Sequence, residues 1–365
     1  MSSTRWPTPT DPIRYGLIGS GMMGREHLHN IAAIDGATVV AISDPDEGSR
    51  QAGMADSPPG VAVFEDHRDL LAAGSVDAVV IASPNFTHVD VLADVVATGV
   101  HVLVEKPLCT TIADCQRILD LAKGAPQVIQ VGLEYRFMPP VARLIDEVRA
   151  GIIGTPRMVS IREHRFPFLD KVGHWNRFSV NTGGTLVEKC CHFFDLMDLI
   201  IGERPNKVMA SGGHDVNHLD ELYDGRRPDM LDNAFVIVEY PSGARACLDL
   251  CMFAEATHNQ EEISVVGDEG KLEALIPEGV VRRGLRAKHQ IGDVEIEPVS
   301  TDHVAFEGLH HGSSYLQHLE FLAAIGSGNP PPVSLTDGLW SVAVGQAAHL
   351  SIAEGRPVAM IEVLG

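Results

Sequence analysis

The glycine-rich stretch at residues 15–31, YGLIGSGMMGREHLHNI, constrains the fold of this chain more than any other segment. An apolar run typical of a buried strand leads into Gly19, Gly21 and Gly24, and an amphipathic run typical of a helix follows. At such a turn the glycines let the backbone approach a pyrophosphate, which the N–H groups of the helix N-terminus face. The stretch therefore predicts a dinucleotide site, and the alternative is a glycine turn in an unrelated α/β protein.

The residue that would read the ribose of such a dinucleotide is Asp44. It ends the second predicted strand, ATVVAISD, about 20 residues after the glycines. A carboxylate accepts hydrogen bonds from a free ribose 2′-hydroxyl and repels a 2′-phosphate, and residues 45–47 contain no arginine. The pattern favours NAD over NADP. A second interpretation, in which Asp44 caps the next helix, stays open.

The arrangement of predicted elements indicates two domains. Over residues 13–133, strands that are apolar on both faces alternate with helices, as in a doubly wound parallel sheet. From about residue 134 strand-like runs replace this rhythm, and FVIVEY and ARACLDL flank PSG as in an antiparallel hairpin. We predict an α/β chain with a flexible tail at 1–12, an N-terminal Rossmann domain at 13–133, and a C-terminal α+β domain at 134–365 whose open sheet is mostly antiparallel and which serves substrate binding and oligomerisation.

The charge, the hydrophobic pattern and the cysteines of the chain indicate which partners and which cellular compartment to expect. A net charge of −21 opposes binding to nucleic acid or anionic membrane surfaces. The chain has neither an apolar run long enough to span a bilayer nor a signal-peptide pattern at its start. Its six scattered cysteines are typical of a cytoplasmic protein. Adjacent cysteines in CCH point apart on a helix, and no further ligand cluster completes a set, so no metal site is predicted.

Two segments carry candidate catalytic residues. VLVEKPL places Lys106 at the carboxyl end of a predicted parallel strand, where it could polarise a substrate oxygen or be an ordinary surface lysine. If GGTLVEKCCHFFDLMDLI is one helix, Glu188 and His192 share a face, and Asp195 lies on the same side. A carboxylate beside imidazole fixes its tautomer and keeps it basic. The alternative is an ordinary amphipathic helix.

A basic stretch, REHRFPFLDKVGHWNR, stands out in this acidic chain. If VSIREHR is a strand, Arg162 and His164 share one face. The stretch could form a subsite for an anionic group of a substrate, or it could be a basic surface loop or a subunit contact.

Taken together, GSGMMG, EKP, and the glycine pair followed by an acidic residue, His and Asp resemble the glucose–fructose oxidoreductase / inositol dehydrogenase / rhizopine-catabolism (Gfo/Idh/MocA) family. The resemblance implies an NAD-dependent enzyme that transfers hydride from a CH–OH group of a sugar, sugar derivative or cyclic polyol to nicotinamide. It places Lys106 beside the reacting hydroxyl and makes His192 the general acid/base. Glu188 stands where the family usually has Asp, and would orient His192.

The resemblance also completes the expected site. The glycine loop and the second strand contain the expected cofactor-binding residues Gly19, Gly21, Met22, Met23, Gly24 and Asp44, and the resemblance adds Ser83, Asn85, His88, Glu105 and Lys106. The expected substrate-binding residues are Arg136, Arg162, His164, Arg165, Trp175, Asn176 and Arg177. The partners expected are a sugar or polyol, neutral or anionic, and further copies of the chain in a homo-dimer or homo-tetramer.

Departures from the family pattern leave the substrate open. Lys189 and the two cysteines after it stand where the family usually has small or apolar residues, and a second cation near His192 could depress its pKa or bind an anion. An NAD-retaining glycoside hydrolase, which oxidises, eliminates, hydrates and re-reduces an anionic glycoside such as a sulfonated one, is therefore an alternative activity that the resemblance allows. A non-catalytic NAD-sensing protein on the same fold is a third interpretation.

Overall fold

A computed structural model describes residues 12–288 and 291–365 of the chain. The predicted tail at residues 1–12 lies outside these ranges except for its last residue. The described part divides into two compact units. Unit 1 holds the chain up to Glu134 together with Lys171–Gly173 and Val304–Leu339, and unit 2 holds Tyr135–Asp170, His174–His303 and Trp340–Gly365.

Unit 1 is built on a six-stranded sheet in the order β3-β2-β1-β4-β5-β6, in which every pairing is parallel. This confirms the predicted doubly wound sheet, since the strand order reverses between β1 and β4. The strands are β1 Ile13–Ile18, β2 Ala37–Ser43, β3 Ala62–Phe64, β4 Ala78–Ile81, β5 His101–Glu105 and β6 Ile129–Gly132.

Helices connect these strands, and one helix from late in the chain joins them. They are α1 Met22–Ala32, α2 Glu47–Asp56, α3 His67–Ala72, α4 His88–Thr98, α5 Ile112–Leu121 and α10 Ser313–Ser327. Tyr15 of β1, Leu28 of α1 and Phe321 of α10 are buried in one apolar cluster. The core of unit 1 therefore includes a segment about 300 residues away in sequence, which local patterns do not predict.

Unit 2 contains a nine-stranded sheet in the order β14-β13-β12-β11-β7-β10-β9-β8-β15. Its pairings are antiparallel except for β7 with β10, which confirms the predicted, mostly antiparallel sheet. The strands are β7 Pro156–His164, β8 Lys207–Gly213, β9 Asn233–Glu239, β10 Arg245–Cys251, β11 Glu261–Gly267, β12 Gly270–Ile276, β13 Val280–Leu285, β14 Glu295–Pro298 and β15 Val358–Ala359.

The hairpin predicted around PSG is formed by β9 and β10. Gly243 closes its turn with a φ of +85°, which a glycine adopts without strain. Along β9, Val236 and Val238 are buried while Phe235 and Ile237 are exposed, so one face of the sheet packs against the core of unit 2.

The remaining helices include α6 Pro139–Arg149, α7 Ser179–Thr182, α8 Thr185–Glu188, α9 Cys191–Ile201, α11 Leu335–Glu354 and α12 Met360–Leu364. The single helix expected over GGTLVEKCCHFFDLMDLI is wrong, because α8 ends at Glu188 and α9 begins at Cys191. Lys189 and Cys190 form the interruption, and the side chain of Lys189 turns into the interior there. None of the described helices has both the length and the apolarity needed to cross a membrane.

Candidate active site

The glycine loop of unit 1 has the geometry of a dinucleotide-binding turn. Gly19 has a φ of +94°, and a Cβ there would lie 2.6 Å from the backbone of Ala82. A Cβ on Gly24 would lie 2.0 Å from the carbonyl oxygen of Gly19. At Gly21, by contrast, a Cβ would meet no described atom within 4 Å apart from its own neighbours. The loop thus leaves space in front of the N-terminus of α1, and this space fits a pyrophosphate.

Asp44 lies at the end of β2, beside this loop. Its carboxylate accepts hydrogen bonds from the backbone N–H of Ser20 (2.8 Å) and of Asp46 (2.9 Å). The N-cap of α2 is Asp46, whose side chain accepts a hydrogen bond from the backbone N–H of Ser49. The capping role considered for Asp44 therefore belongs to Asp46. Arg50 donates to the carbonyl oxygen of Asp44 at 2.7 Å. The sequence analysis, which considered only residues 45–47 here, missed this arginine.

Ser83, Asn85 and His88, the cofactor residues expected after β4, lie where the loop after β4 meets the loop after β5. The imidazole of His88 is fully buried, and its ring nitrogens lie 3.0 Å from the carbonyl oxygen of Ser83 and 2.8 Å from that of Pro107. The hydroxyls of Ser83 and Thr87 lie 2.7 Å apart. Asn85 is buried in the turn between them. His88 therefore ties the loop after β4 to the loop after β5.

Lys106 follows β5 directly and is half-buried. Its backbone N–H donates to the side chain of Glu105, whose other oxygen lies 2.9 Å from Nε2 of His27. Nδ1 of His27 in turn lies 2.9 Å from Nε2 of His318. Burial alone would raise the pKa of Glu105, but the hydrogen bond and charge of His27 and the charge of Lys106 lower it. An ionised carboxylate is thus fixed next to the candidate catalytic lysine.

A second buried carboxyl lies in the same part of unit 1. Glu134 accepts a hydrogen bond from the hydroxyl of Ser314, and Nδ1 of His310 lies 3.4 Å from it. Burial and the charge of Glu105 raise the pKa of Glu134 to about 8. This side chain therefore carries a proton at neutral pH, and the sequence analysis missed it.

His192 lies in the first turn of α9 in unit 2 and is almost fully buried. The phenol ring of Tyr135 stacks on its imidazole, with the ring centroids 4.0 Å apart and the planes 9° from parallel. Glu188, the last residue of α8, is also buried. Because α8 and α9 are separate helices, Glu188 and His192 do not share the face of one continuous helix.

Arg136 and Asp195 form an ion pair in the interior of unit 2. The guanidinium donates from Nε and Nη2 to both carboxylate oxygens, and both side chains are nine-tenths buried or more. Arg136 was expected near the substrate. The structure pairs it with the acidic residue one turn after His192.

A buried polar cluster, which we call the Lys189 cluster, lies against Tyr135. Nζ of Lys189 lies 2.6 Å from the hydroxyl of Tyr135 and 2.8 Å from Oε1 of Glu163. The Tyr135 hydroxyl also donates to Glu261 at 3.3 Å, and the guanidinium of Arg165 lies 3.7 Å from Glu163. Burial raises the pKa of Glu163 to about 7, and burial lowers the pKa of Lys189.

The basic stretch on β7 is paired with acidic residues of neighbouring strands. Arg162 and His164 share a face, as the period of a strand requires. Nη2 of Arg162 lies 2.5 Å from Glu262, and Nε2 of His164 lies 3.1 Å from Asp249. An anionic ligand at this face would have to compete with these carboxylates.

The other predicted substrate residues lie in the turn after β7. The guanidinium of Arg177 is buried and contacts the carboxylates of Asp170 and Glu221, the latter at 3.0 Å. The side chain of Asn176 donates to a backbone carbonyl, and the carbonyl of Trp175 accepts from a side-chain amide. In this arrangement Arg177 joins the 165–178 segment to the 214–229 segment.

The described residues contain neither a disulfide nor a candidate metal site. The six cysteines all lie in the described part of the chain and form no disulfide. Within that part, no three His, Cys, Asp or Glu side chains are arranged to hold a metal ion.

Comparison with known proteins identifies the scaffold. Residues 13–133 match the family model described as "Oxidoreductase family, NAD-binding Rossmann fold", and residues 145–360 match "Oxidoreductase family, C-terminal alpha/beta domain" of the same family. The chain belongs to the Gfo/Idh/MocA oxidoreductase family. The enzyme is accordingly an NAD-dependent oxidoreductase of the dehydrogenase type, with the NAD-binding Rossmann fold in unit 1.

Individual relatives cover almost the whole chain. A myo-inositol 2-dehydrogenase of Thermotoga maritima is 31% identical over 97% of this chain and 100% of that protein. A scyllo-inositol 2-dehydrogenase (NAD+) of Bacillus subtilis is 25% identical over 95% of this chain and 96% of that protein. The crystal structure of a probable dehydrogenase from Thermotoga maritima has a TM-score of 0.77 and 27% identity, and covers 96% of this chain and 100% of that chain.

A levoglucosan dehydrogenase solved with NADH and levoglucosan has a TM-score of 0.82 and covers 96% of this chain and 100% of that chain. Its sequence identity is 20%, so this likeness shows the fold alone.

Proposed function

We propose that this Gfo/Idh/MocA enzyme oxidises a secondary alcohol of a cyclic polyol or sugar with NAD+. The observation that carries the proposal is the similarity to a myo-inositol 2-dehydrogenase, which extends over 97% of this chain and 100% of that protein. That match includes residues of both units. The residues expected for the chemistry, Lys106, Glu188 and His192, all lie in the described part of the chain.

The cofactor would be held by unit 1. Gly19, Gly21 and Gly24 with the N–H groups of Met22 and Met23 would hold the pyrophosphate. Asp44 would accept hydrogen bonds from the ribose, and Ser83, Asn85, His88 and Glu105 would form the wall of the site. When bound, NAD+ supplies the acceptor for the hydride.

The protein's own part in the reaction is proton transfer and charge stabilisation. His192 takes the proton of the substrate hydroxyl, for which a neutral imidazole is required. Lys106 stabilises the negative charge that develops on the same oxygen. Glu188 orients the imidazole of His192.

A neutral substrate is favoured over an anionic one. The arginines expected to bind an anion are paired with carboxylates: Arg162 with Glu262, and Arg177 with Asp170 and Glu221. Paired in this way they are suited to holding segments of unit 2 together. The hydroxyl groups of a neutral polyol need hydrogen-bonding groups of both kinds and no net positive charge.

The deciding experiment is a substrate panel. Purified protein and NAD+ are incubated with myo-inositol, scyllo-inositol, levoglucosan, simple hexoses, a hexuronate and a chromogenic aryl glycoside, and the absorbance of NADH and of the released aglycone is followed. We expect NADH to accumulate with a neutral cyclic polyol or sugar. Release of the leaving group from a glycoside without net NADH would establish the glycoside hydrolase instead. NAD binding without turnover of any compound would favour the NAD-sensing alternative.

We also propose a homo-dimer or homo-tetramer. Met158, Met209, Phe235 and Ile237 are exposed on the face of the nine-stranded sheet opposite its buried side. Exposed apolar clusters of this kind support association. Light scattering of the wild-type protein and of Phe235→Glu tests it, because a charge at the interface should shift the mass towards the monomer.

A further inference from the structure

Lys189 has no role that the sequence predicts, and its position in unit 2 suggests one. We propose that Lys189, acting through Tyr135, is a positioning residue that fixes the imidazole plane of His192 and sets the pH at which this imidazole gains a proton. The inference rests on the proposed function only in taking His192 as the base of the reaction.

The contact between Tyr135 and His192 is the first step of the argument. Their rings are nearly parallel, 9° apart, with a centroid separation of 4.0 Å. A second ring, that of Phe193, meets Tyr135 edge-on at 5.7 Å. An imidazole covered on one face by a fixed aromatic ring cannot rotate about its Cβ–Cγ bond without displacing that ring. The plane of the base is therefore set by the position of Tyr135.

The hydroxyl end of Tyr135 is held in turn. Nζ of Lys189 lies 2.6 Å from the hydroxyl oxygen, and Oε1 of Glu261 accepts a hydrogen bond from the hydroxyl at 3.3 Å. Lys189 is itself fixed by Glu163 at 2.8 Å. All four side chains are almost fully buried, so each polar group depends on the others for its partners. Lys189 thus determines where the phenol ring lies.

The charge of Lys189 acts on His192 across the same ring. Nζ lies 4.8 Å from the centroid of Tyr135. The His192 imidazole stacks on the same ring, with 4.0 Å between the centroids, so in a water-poor interior this cation disfavours a second positive charge on the imidazole. The nearest anion to Lys189, Glu163, is bonded to the ammonium and gains a proton readily because burial raises its pKa to about 7. Without Lys189, protonation of Glu163 removes both charges of this ion pair, and because its positive end is the one that contacts Tyr135, their loss takes positive potential away from His192.

Other charged and titratable groups lie near His192 in the chain or in the Lys189 cluster, and apart from Glu163 and the substituted residues they are unchanged in these variants. In the described part of unit 2 they include Tyr135 and Arg136 before α6, Glu163 and Arg165 at the end of β7, Glu188 and Lys189 before α9, Asp195 and Asp198 on α9, and Glu261 on β11.

The test uses three variants and a matched control. Lys189→Met removes the charge, Tyr135→Phe keeps the stacked ring but releases the ammonium, and Tyr135→Leu removes the stacking. The control is Tyr240→Phe, which deletes another buried phenol hydroxyl that donates to a carboxylate of α9, that of Asp198 at 2.9 Å. Tyr240 has no part in the Lys189 cluster, so its loss reports the general cost of such a hydrogen bond.

The first readout does not require a substrate. Histidine-labelled protein is titrated by NMR, and the His192 resonance is assigned as the one missing in His192→Asn. We expect its midpoint to rise by about one pH unit in Lys189→Met, because a nearby cation has been removed. A smaller rise is expected in Tyr135→Phe, and none in Tyr240→Phe.

The second readout is the kinetics with the polyol that the substrate panel identifies. We expect the acid limb of kcat/KM in Lys189→Met to move to higher pH with the NMR midpoint. Tyr135→Leu should lower kcat about tenfold while KM changes little, since the base is misplaced but the substrate still binds.

The outcomes separate this inference from the proposed function. An unmoved His192 midpoint in both folded Lys189→Met and Tyr135→Phe would overturn the role of Lys189, even in an active dehydrogenase. Equal shifts in Tyr240→Phe would overturn it as well. A shifted midpoint in a protein that oxidises no polyol would reject the proposed function and leave the arrangement around His192 in place. Should Lys189→Met fail to fold, Tyr135→Phe decides.

Discussion

Arg136 donates two parallel hydrogen bonds to the carboxylate of Asp195, and both side chains are buried. The arginine lies in the turn before α6, and the aspartate lies one helical turn after His192 on α9. The pair therefore fixes the start of α9 against a second segment of unit 2, and with it the position of the candidate base. A bidentate pair of this kind is geometrically specific as well as strong.

Breaking this pair should destabilise the protein. Arg136→Met leaves the carboxylate of Asp195 buried without its main partner, and we expect the free energy of unfolding to fall by about 3–5 kcal/mol. Arg14→Met is the matched control, because Arg14 makes the same two-bond contact with Asp77 where both side chains are largely exposed. There the expected loss is under about 1 kcal/mol. Thermal unfolding of both variants measures the difference, and equal losses would contradict the argument.

The glycines of the cofactor loop should separate folding from binding. Gly24→Ala places a Cβ 2.0 Å from the carbonyl oxygen of Gly19, so we expect a lowered Tm. Gly21→Ala meets no described atom within 4 Å, so Tm should change little while NAD binds at least about tenfold more weakly. Calorimetric titration with NAD+ and thermal unfolding test the two together. Normal NAD affinity in Gly21→Ala would move the pyrophosphate elsewhere.

Asp44 should control the choice between NAD and NADP. Asp44→Ser removes the charge that would repel a 2′-phosphate, and Arg50 lies against the same backbone. We expect the ratio of kcat/KM for NADP to that for NAD to rise about tenfold or more. Asp46→Ala is the control, since it removes the side-chain cap of α2 and should lower stability without changing the ratio. An unchanged ratio in Asp44→Ser would remove Asp44 from ribose recognition.

Glu134 should make stability fall as pH rises. Burial and Glu105 raise its pKa to about 8 in the folded protein. A carboxyl with a raised folded pKa stabilises fully below the pKa of the unfolded chain, and this contribution is lost as pH rises through about 8. Glu134→Gln stays neutral, so relative to wild type it should gain on the order of 2–4 kcal/mol between pH 5 and pH 9.

The control for this pH effect is Glu147→Gln. Glu147 has a lowered pKa, because the ion pairs with Arg283 and Arg143 outweigh the effect of its burial. Its contribution is present above the unfolded pKa and is lost only at lower pH. The Tm difference between Glu147→Gln and wild type should therefore stay constant over the range in which that of Glu134→Gln changes.

Lys106 and His192 should affect turnover rather than cofactor binding. Lys106→Ala should lower kcat by about 10²–10³, because charge on the alcohol oxygen is no longer stabilised, while NAD+ still binds measurably. His192→Asn should be similarly slow and lose the acid limb of the pH profile. Lys207→Ala, a change at an exposed lysine, is the control. Unchanged turnover in Lys106→Ala would remove this residue from the mechanism.

Much of the fold follows from local patterns in the sequence. The parallel sheet of unit 1 was predictable because its strands are short apolar runs bounded by turns, and the hairpin at Gly243 because PSG separates two alternating strands. The tight turn at Gly19 and Gly24 was also predictable, because the glycine spacing between a strand and a helix is local in the sequence. In the structure a side chain at either position would clash with nearby backbone atoms.

The expected helix through Glu188 and His192 shows where local patterns fail. Their spacing of four satisfies the helical period, yet the helix is interrupted between them at Lys189 and Cys190. The ammonium of Lys189 reaches Glu163 on β7 and Tyr135, and both lie far from it in sequence. The residues within one helical turn of Lys189 in the sequence do not indicate that Glu163 and Tyr135 contact it. The same holds for Glu134 with Ser314, and for Arg162 with Glu262.

The amino-acid sequence by itself determined the cofactor loop, the two sheet types and the identities of the candidate catalytic side chains, because these depend on residues that are neighbours along the chain. Only the tertiary structure decided which charges are buried together, which arginines are paired with carboxylates, and which ring covers His192. Those relationships join segments that are distant in sequence, and the energy of a buried charge depends on every group that folding brings within a few ångströms of it.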